Sequence, residues 1–210
     1  MIVTFIGPPG SGKGTQAALI ASKLGVTHLS TGDVLRSRLE SGDKESKALR
    51  KVMESGKLVP SNVVNELVLS AIKDSSKGCI LDGYPRNLAQ AEFLDQNCED
   101  DVTAIYFDIS HDLLIKRIAG RFSCSKCGKI YNGYFSPPKV EKSCDKCQSH
   151  NFTHRADDNA ETVAVRLNEY DRETKPLVQY YQKLGRLQVV DASKSVDKIS
   201  EELQLMLKSD

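Results

Sequence analysis

The run Ile2-Val3-Thr4-Phe5-Ile6 leads at once into Gly7-Pro8-Pro9-Gly10-Ser11-Gly12-Lys13-Gly14-Thr15, and no other stretch restricts the fold as much. A short apolar, β-branched run reads as a buried strand. From Thr15 to Leu24 the apolar residues Ala17, Leu19, Ile20 and Leu24 fall at helical spacing. Strand, glycine loop and helix together open a βαβ unit. The loop nearly matches G-x-x-x-x-G-K-[ST], but Gly14 stands where Ser or Thr is expected and Thr15 comes one place later. Glycines let successive N–H groups point inward at phosphate oxygens, and the helix adds its positive end. Lys13 supplies a mobile charge for β- and γ-phosphates, and the Thr15 hydroxyl can help hold Mg²⁺.

The rest of the chain alternates in the same way. Helices are expected near Gly32–Leu39, Glu45–Glu54 and Asn62–Ile72, punctuated by Gly42, Gly56 and Pro60. Cys79–Asp82 reads as a second buried strand, Leu88–Leu94 as a helix, Thr103–Ile109 as a third strand and His111–Ala119 as a helix. A long helix is expected from about Asp157 to Leu184, bent at Pro176. Leu187–Val190 reads as a last strand and Val196–Leu207 as a closing helix. The expected class is α/β, with a parallel sheet covered by helices on both faces. A formal net charge of +1 over 210 residues points to neither nucleic acid nor membrane as a partner. No apolar run approaches the roughly 20 residues needed to span a bilayer. The opening residues lack a basic stretch of the kind a signal peptide carries, so a cytoplasmic location is expected.

Arg121–Arg155 breaks the rhythm. It carries seven Lys or Arg against two acidic residues and little periodicity, and reads as a separate basic lobe. Within it lie Cys124-x2-Cys127 and Cys144-x2-Cys147, a spacing that points to a four-thiolate structural Zn²⁺ site. Two disulfides, or iron in place of zinc, are the alternatives. With four thiolates no open position remains for a catalytic water. His150 and His154 are read as surface or lobe-contact residues, and His28 and His111 as lying at element ends. Cys79 is read as a small buried hydrophobe and Cys98 as a loop residue.

The loop ending Lys13-Gly14-Thr15 and a series of later motifs resemble the adenylate kinases, within the nucleoside monophosphate kinase family. The motifs are Leu29-Ser30-Thr31-Gly32-Asp33, Arg36, Gly56-Lys57-Leu58-Val59, Leu81-Asp82-Gly83-Tyr84-Pro85-Arg86 with Gln90, Arg117, Gly120-Arg121, Arg155-Ala156-Asp157-Asp158 and Arg166. They run in order along essentially the whole chain. The resemblance implies a P-loop core (1–29, 60–119 and 157–210), an AMP-binding lobe (30–59) and a zinc-bearing lid (120–156). It also implies ATP + AMP = 2 ADP. Gly10, Ser11, Gly12, Lys13, Gly14 and Thr15 would bind ATP phosphates. Arg117, Arg121, Ile130, Tyr131 and the Lys194 backbone would complete the ATP site. Thr31, Arg36, Lys57, Leu58, Val59, Gly83, Tyr84, Pro85, Arg86 and Gln90 would bind AMP. Arg155 and Arg166 would reach the phosphates between the nucleotides. The catalytic set would be Lys13, Asp82, Arg86, Arg121, Arg155 and Arg166, with Asp82 ordering Mg²⁺ through water. Phosphoryl transfer needs positioning and charge stabilisation, which suits planar guanidinium groups. ATP, AMP and ADP are the expected partners, and a monomer the expected state.

Three other readings stand beside this one. A GTP-using AMP kinase would share the AMP motifs. UMP/CMP kinases resemble short-lid forms, whereas this lobe is long. A basic four-cysteine lobe could also be a nucleic-acid-binding ribbon, although its aromatics are few (Phe122, Tyr131, Tyr134, Phe135 and Phe152) and a switch protein has no use for AMP motifs.

Overall fold

A computed structural model describes residues 1–39, 44–155 and 158–207. Five strands, β1 (Ile2–Ile6), β2 (Thr27–Ser30), β3 (Cys79–Asp82), β4 (Val102–Asp108) and β8 (Leu187–Asp191), form one sheet in the order β2-β3-β1-β4-β8. All four pairings are parallel. Parallel neighbours need crossover connections, and the intervening helices supply them. They are α1 (Lys13–Leu24), α2 (Thr31–Arg38), α3 (Lys44–Glu54), α4 (Ser61–Lys73), α5 (Leu88–Asn97), α6 (His111–Ala119), α7 (Ala160–Glu169), α8 (Pro176–Lys183) and α9 (Val196–Met206).

Alternation along β1 divides the core. Val3 and Phe5 join Ile20 of α1 and Leu203 of α9 on one face. Ile2 and Ile6 join Val68 of α4, Leu94 of α5 and Leu177 of α8 on the other. Both faces are therefore covered, as an all-parallel sheet requires. β1 lies between β3 and β4, where the connections diverge in opposite directions along the sheet. The carboxyl ends of strands at such a point form a crevice that takes ligands.

Several elements differ from expectation. β2 is an addition to the expected strands. It is a four-residue edge strand whose only fully buried member is Leu29, so it has little apolar pattern. The basic lobe is not irregular throughout: β5 (Arg121–Cys124), β6 (Ile130–Asn132) and β7 (Phe152–Thr153) form a small antiparallel sheet in the order β6-β5-β7. Strands of two to four residues leave almost no periodicity to read. The long helix is not simply bent at Pro176. It is broken by a π-helical turn, Tyr170–Thr174, after which Pro176 begins α8. Proline has no N–H to give and suits the first turn of a new helix. Three expectations lie outside the described residues: the punctuation at Gly42, the helix start at Asp157, and the lid–core boundary between 156 and 157.

Candidate functional site

The loop after β1 owes its shape to two glycines. Gly10 (φ 84°) lies so close to α6 that a Cβ would come within 2.7 Å of Ile118. Gly12 (φ 97°) is the left-handed N-cap of α1. Both conformations are ones L side chains rarely adopt. The departure at Gly14 has a different cause. A Cβ there would sit 2.9 Å from Asp82 Oδ2. The first turn of α1 thus runs directly against the carboxylate at the end of β3, and a Ser or Thr at position 14 would displace it.

Lys13 curls back over its own loop. Its ammonium donates to the carbonyls of Gly7 (2.6 Å) and Pro8 (2.8 Å) and to Ser11 Oγ (3.1 Å). Although the residue is only partly buried, its ammonium is enclosed, and burial pushes its pKa down to about 7; Asp82 opposes this, and Arg86, Arg166 and Arg121 add to it. Asp82 and three of the expected arginines thus lie within electrostatic reach of the Lys13 ammonium. A concentration of positive charge that depresses a lysine is a ready site for polyanions.

The arginines are held by carboxylates. Arg121 donates through Nε to Asp158 Oδ2 at 2.7 Å and through a second nitrogen to Oδ1, in a bidentate pair. Arg166 reaches the same Oδ1 at 3.1 Å. The Asp158 side chain is 4% exposed, so one buried carboxylate aligns two guanidinium groups. Arg155 instead lies 3.7 Å from Asp33, which also pairs with Arg36. Burial works against the Asp33 carboxylate, but Arg36, then the Ser30 hydroxyl and Arg155, hold its pKa below the usual value.

The motif around Arg86 is tightly tied. The Arg86 N–H donates to Gln90 Oε1 (2.7 Å), and its Nε donates to the Gly83 carbonyl (2.9 Å). The Thr31 hydroxyl lies 3.0 Å from the same carbonyl, at the start of α2. The peptide between Tyr84 and Pro85 is cis. The Tyr84 ring is wholly buried, its hydroxyl donates to Asn65 Oδ1 (2.8 Å) and its carbonyl accepts from the Thr4 hydroxyl (2.7 Å), so its side chain is not open to a ligand. Gln90 is also buried; its Nε2 donates to Ser61 Oγ (3.2 Å), which leaves one N–H for a base. Lys57, Leu58 and Val59 line a cleft of about 410 Å³ together with Asn87, Glu169 and Arg172. Gly56 (φ 76°) brings this segment against α7, where a Cβ would meet Arg166 Cγ at 3.1 Å.

On the ATP side, an Arg117 nitrogen donates to the Ser11 carbonyl (3.3 Å), and its guanidinium lies 5.6 Å from the centre of the Phe135 ring. Lys194 Nζ pairs with Glu202 (2.7 Å) and its N–H reaches the Asp191 carbonyl (3.5 Å), so its carbonyl is the backbone group left for a contact. Ile130 is partly buried in β6. Tyr131 is not open to a base: it is 2% exposed, and its hydroxyl donates to Cys144 Sγ (3.3 Å) while accepting from the Asp145 N–H (2.8 Å).

The four cysteines converge. All four Sγ atoms lie within 4.8 Å of one another, with Cys124–Cys147 and Cys127–Cys144 each at 3.5 Å. A disulfide needs about 2.05 Å, whereas thiolates about 2.3 Å from a tetrahedral Zn²⁺ stand about 3.8 Å apart. The arrangement could therefore hold a metal, and none of the four is disulfide-bonded. At Cys144, burial opposes ionisation, yet the Tyr131 hydroxyl and the N–H groups of Cys147 and Lys146 bring its pKa down to about 6. Phe122, Tyr131 and Phe152 pack on one another beside the sulfurs, which removes them from any base-stacking role.

Four contributors escape a reading of the sequence: Asp158, Asp33, Phe135 and His28. The first two sit inside quoted motifs, where a carboxylate beside several arginines was the available signal. His28 is the second residue of β2, near the strand's start, as expected. Its buried Nε2 stands 3.8 Å from Asp82 Oδ2 and has no hydrogen-bond partner among the described residues.

The family model described as adenylate kinase matches residues 5–186. The chain is 44% identical over 210 residues to an adenylate kinase of Rickettsia africae (strain ESF-5), covering 99% of each chain. It is 42% identical to one of Rickettsia bellii (strain RML369-C), again over 99% of each chain. It is 43% identical over 208 residues to one of Orientia tsutsugamushi (strain Boryong), covering 98% of each.

Proposed function

The chain belongs to the adenylate kinase family, and we propose a division of labour among its residues for the family's reaction, ATP + AMP ⇌ 2 ADP. It is a phosphotransferase that acts on small-molecule nucleotides. The glycine loop that opens a helix supports this reading most strongly, with Asp82 at the end of β3 against its first turn, Arg86 tied to Gly83 beside that strand end, and Arg121 and Arg166 paired on Asp158, all three arginines within electrostatic reach of Lys13.

Gly10–Thr15 cradle the ATP phosphates with backbone N–H groups, and Lys13 exchanges its loop carbonyls for phosphate oxygens. Arg117 and Phe135 flank the donor base, joined by the backbone near Ile130, Tyr131 and Lys194. Thr31, Arg36, Lys57–Val59, the Gly83–Arg86 backbone and the remaining Gln90 N–H hold AMP. Arg86, Arg121, Arg155 and Arg166 line the transfer path, where charge spreads over the equatorial oxygens. Asp158 fixes two of them in advance, so little reorganisation is left for the transition state. Residues 1–29, 60–119 and 157–210 act as the core, 30–59 as the AMP lobe and 120–156 as the lid. Lid closure excludes water and favours AMP over water as acceptor.

Mg²⁺, bound with ATP, would neutralise phosphate charge. Thr15 and Asp82 would hold it, and the space left by the absent Gly14 side chain keeps the Asp82 carboxylate beside the loop. Zn²⁺ would be held by Cys124, Cys127, Cys144 and Cys147 and would staple the lid, whose own apolar core is small. Four thiolate ligands suit a reducing cytoplasm. All the residues to which this reading gives a role belong to one chain, which is consistent with a monomer as the working unit.

The test is a coupled assay with ATP or GTP as donor and AMP, UMP or CMP as acceptor. ATP with AMP should be the fastest pair. Turnover with GTP but not ATP would overturn the donor assignment.

A further inference from the structure

The π-helical turn Tyr170–Thr174 separates two helices with different tasks. α7 carries Arg166 and packs Val163 and Leu167 against Leu114 and Ile118 of α6. α8 packs Leu177 and Tyr181 into the core beside the sheet. The Lys175 N–H reaches back five residues to the Tyr170 carbonyl at 2.8 Å, and the next residue, Pro176, has no N–H. An uninterrupted α-helix would press the proline ring against the carbonyl four residues earlier, at Arg172. One extra residue in a turn also rotates the succeeding helix by about 100°. Such insertions gather at functional sites.

At this turn Thr174 is buried, and its hydroxyl donates to the Arg86 carbonyl at 2.7 Å, across 88 residues of sequence. The Arg86 residue is thereby held on both sides: its N–H by Gln90 and its carbonyl by Thr174. The Arg86 guanidinium in turn faces Gly83 and lies close enough to Lys13 to depress its pKa.

We infer that Thr174 is a positioning residue for Arg86, and that the π turn serves to bring its hydroxyl to the Arg86 carbonyl. It couples the helix that carries Arg166 to the loop that carries Arg86, so the two arginines keep register across the transfer path. This role for Thr174 rests on the place of Arg86 in the proposed function. Precise placement matters because displacements near 1 Å cost about 10²-fold in rate.

The experiment compares Thr174→Val, which keeps the shape and removes the donor, with Thr174→Ser, which keeps the donor. Thr174→Ala serves as a second donor-less variant should the valine form fail to fold. Loss of the hydroxyl should lower kcat about tenfold and raise KM for AMP several-fold, while KM for ATP stays within about twofold. The serine variant should restore both. In an Arg86→Ala background, Thr174→Val should change kcat no further. Wild-type kcat and KM for AMP in the donor-less variants, beside an impaired Arg86→Ala enzyme, would overturn the inference. So would equal losses with serine and valine, or equal effects on the KM of both nucleotides. Full activity in Arg86→Ala alone would instead overturn the role assigned to Arg86.

Discussion

Replacing Gly14 by Ala separates stability from activity. Gly14 is the second residue of α1, in ordinary helical conformation, so added side-chain bulk should favour the helix by about 1 kcal/mol. The new Cβ would lie 2.9 Å from Asp82 Oδ2, and ordinary contact requires about half an ångström more. β3 fixes the Asp82 backbone, and His28 Nε2 stands 3.8 Å from the same oxygen. The carboxylate must therefore rotate off its preferred geometry, at about 0.5–1.5 kcal/mol. The two terms nearly cancel, so Tm should stay within about 3 °C of the parent. Displacing Asp82 by half an ångström should lower kcat about tenfold, given about 10²-fold for 1 Å. Calorimetry and the coupled ADP assay read the two quantities separately. In an Asp82→Ala background the substitution should cost nothing further. An undiminished kcat in the folded Gly14→Ala protein would show that Asp82 need not sit where the glycine lets it sit, and would remove the role given to Gly14.

Asp158→Asn should uncouple Arg121 and Arg166. Loss of a buried charge that holds two guanidinium groups should cost about 3 kcal/mol and about 6–12 °C in Tm; kcat should fall at least tenfold, as steady-state kinetics and calorimetry would show. Lys13 gives a pH dependence of definite sign. With its free-enzyme pKa near 7, the lysine is charged below that pH and loses its proton above it, whereas bound phosphate favours the charged form. ATP affinity should therefore be flat below pH 7 and fall by up to about tenfold per unit above it, with about 0.9 proton taken up per ATP at pH 8. Titration calorimetry in buffers of different ionisation enthalpy measures that uptake, and Lys13→Arg should abolish it. Lys13→Met should lower kcat by about 10²–10³-fold while leaving Tm unchanged. Metal analysis should find about one Zn²⁺ per chain, and chelation should lower the melting temperature of the lid while sparing the core; a melt insensitive to chelator, with no zinc co-purifying, would remove the metal from the lid.

The parallel sheet was legible because β1, β3 and β4 are apolar runs bounded by glycine, proline or charge. β2 escaped because an edge strand with one buried residue leaves no pattern. The lobe strands escaped because they hold together through four sulfurs and three aromatic rings rather than through alternation. Pro176 announced an interruption, but not that a π turn would absorb it: that choice depends on packing against α6 on one side and the sheet on the other. The motif residues were legible as a set and less so one by one. Tyr84 and Tyr131 were both expected at the nucleotide sites, yet their side chains serve the core and the cysteine cluster. The Thr174–Arg86 bond has no local signature at all, since it joins segments 88 residues apart.

On the proposed function, the phosphoryl group passes directly between two nucleotides held above the Gly7–Thr15 loop. ATP labelled at the γ-phosphate, incubated with Mg²⁺ and AMP, reports where that group goes. The label should appear at the β-position of the ADP formed from AMP, with two ADP made per AMP consumed and little free phosphate. Label released as inorganic phosphate at a rate indifferent to AMP would contradict it.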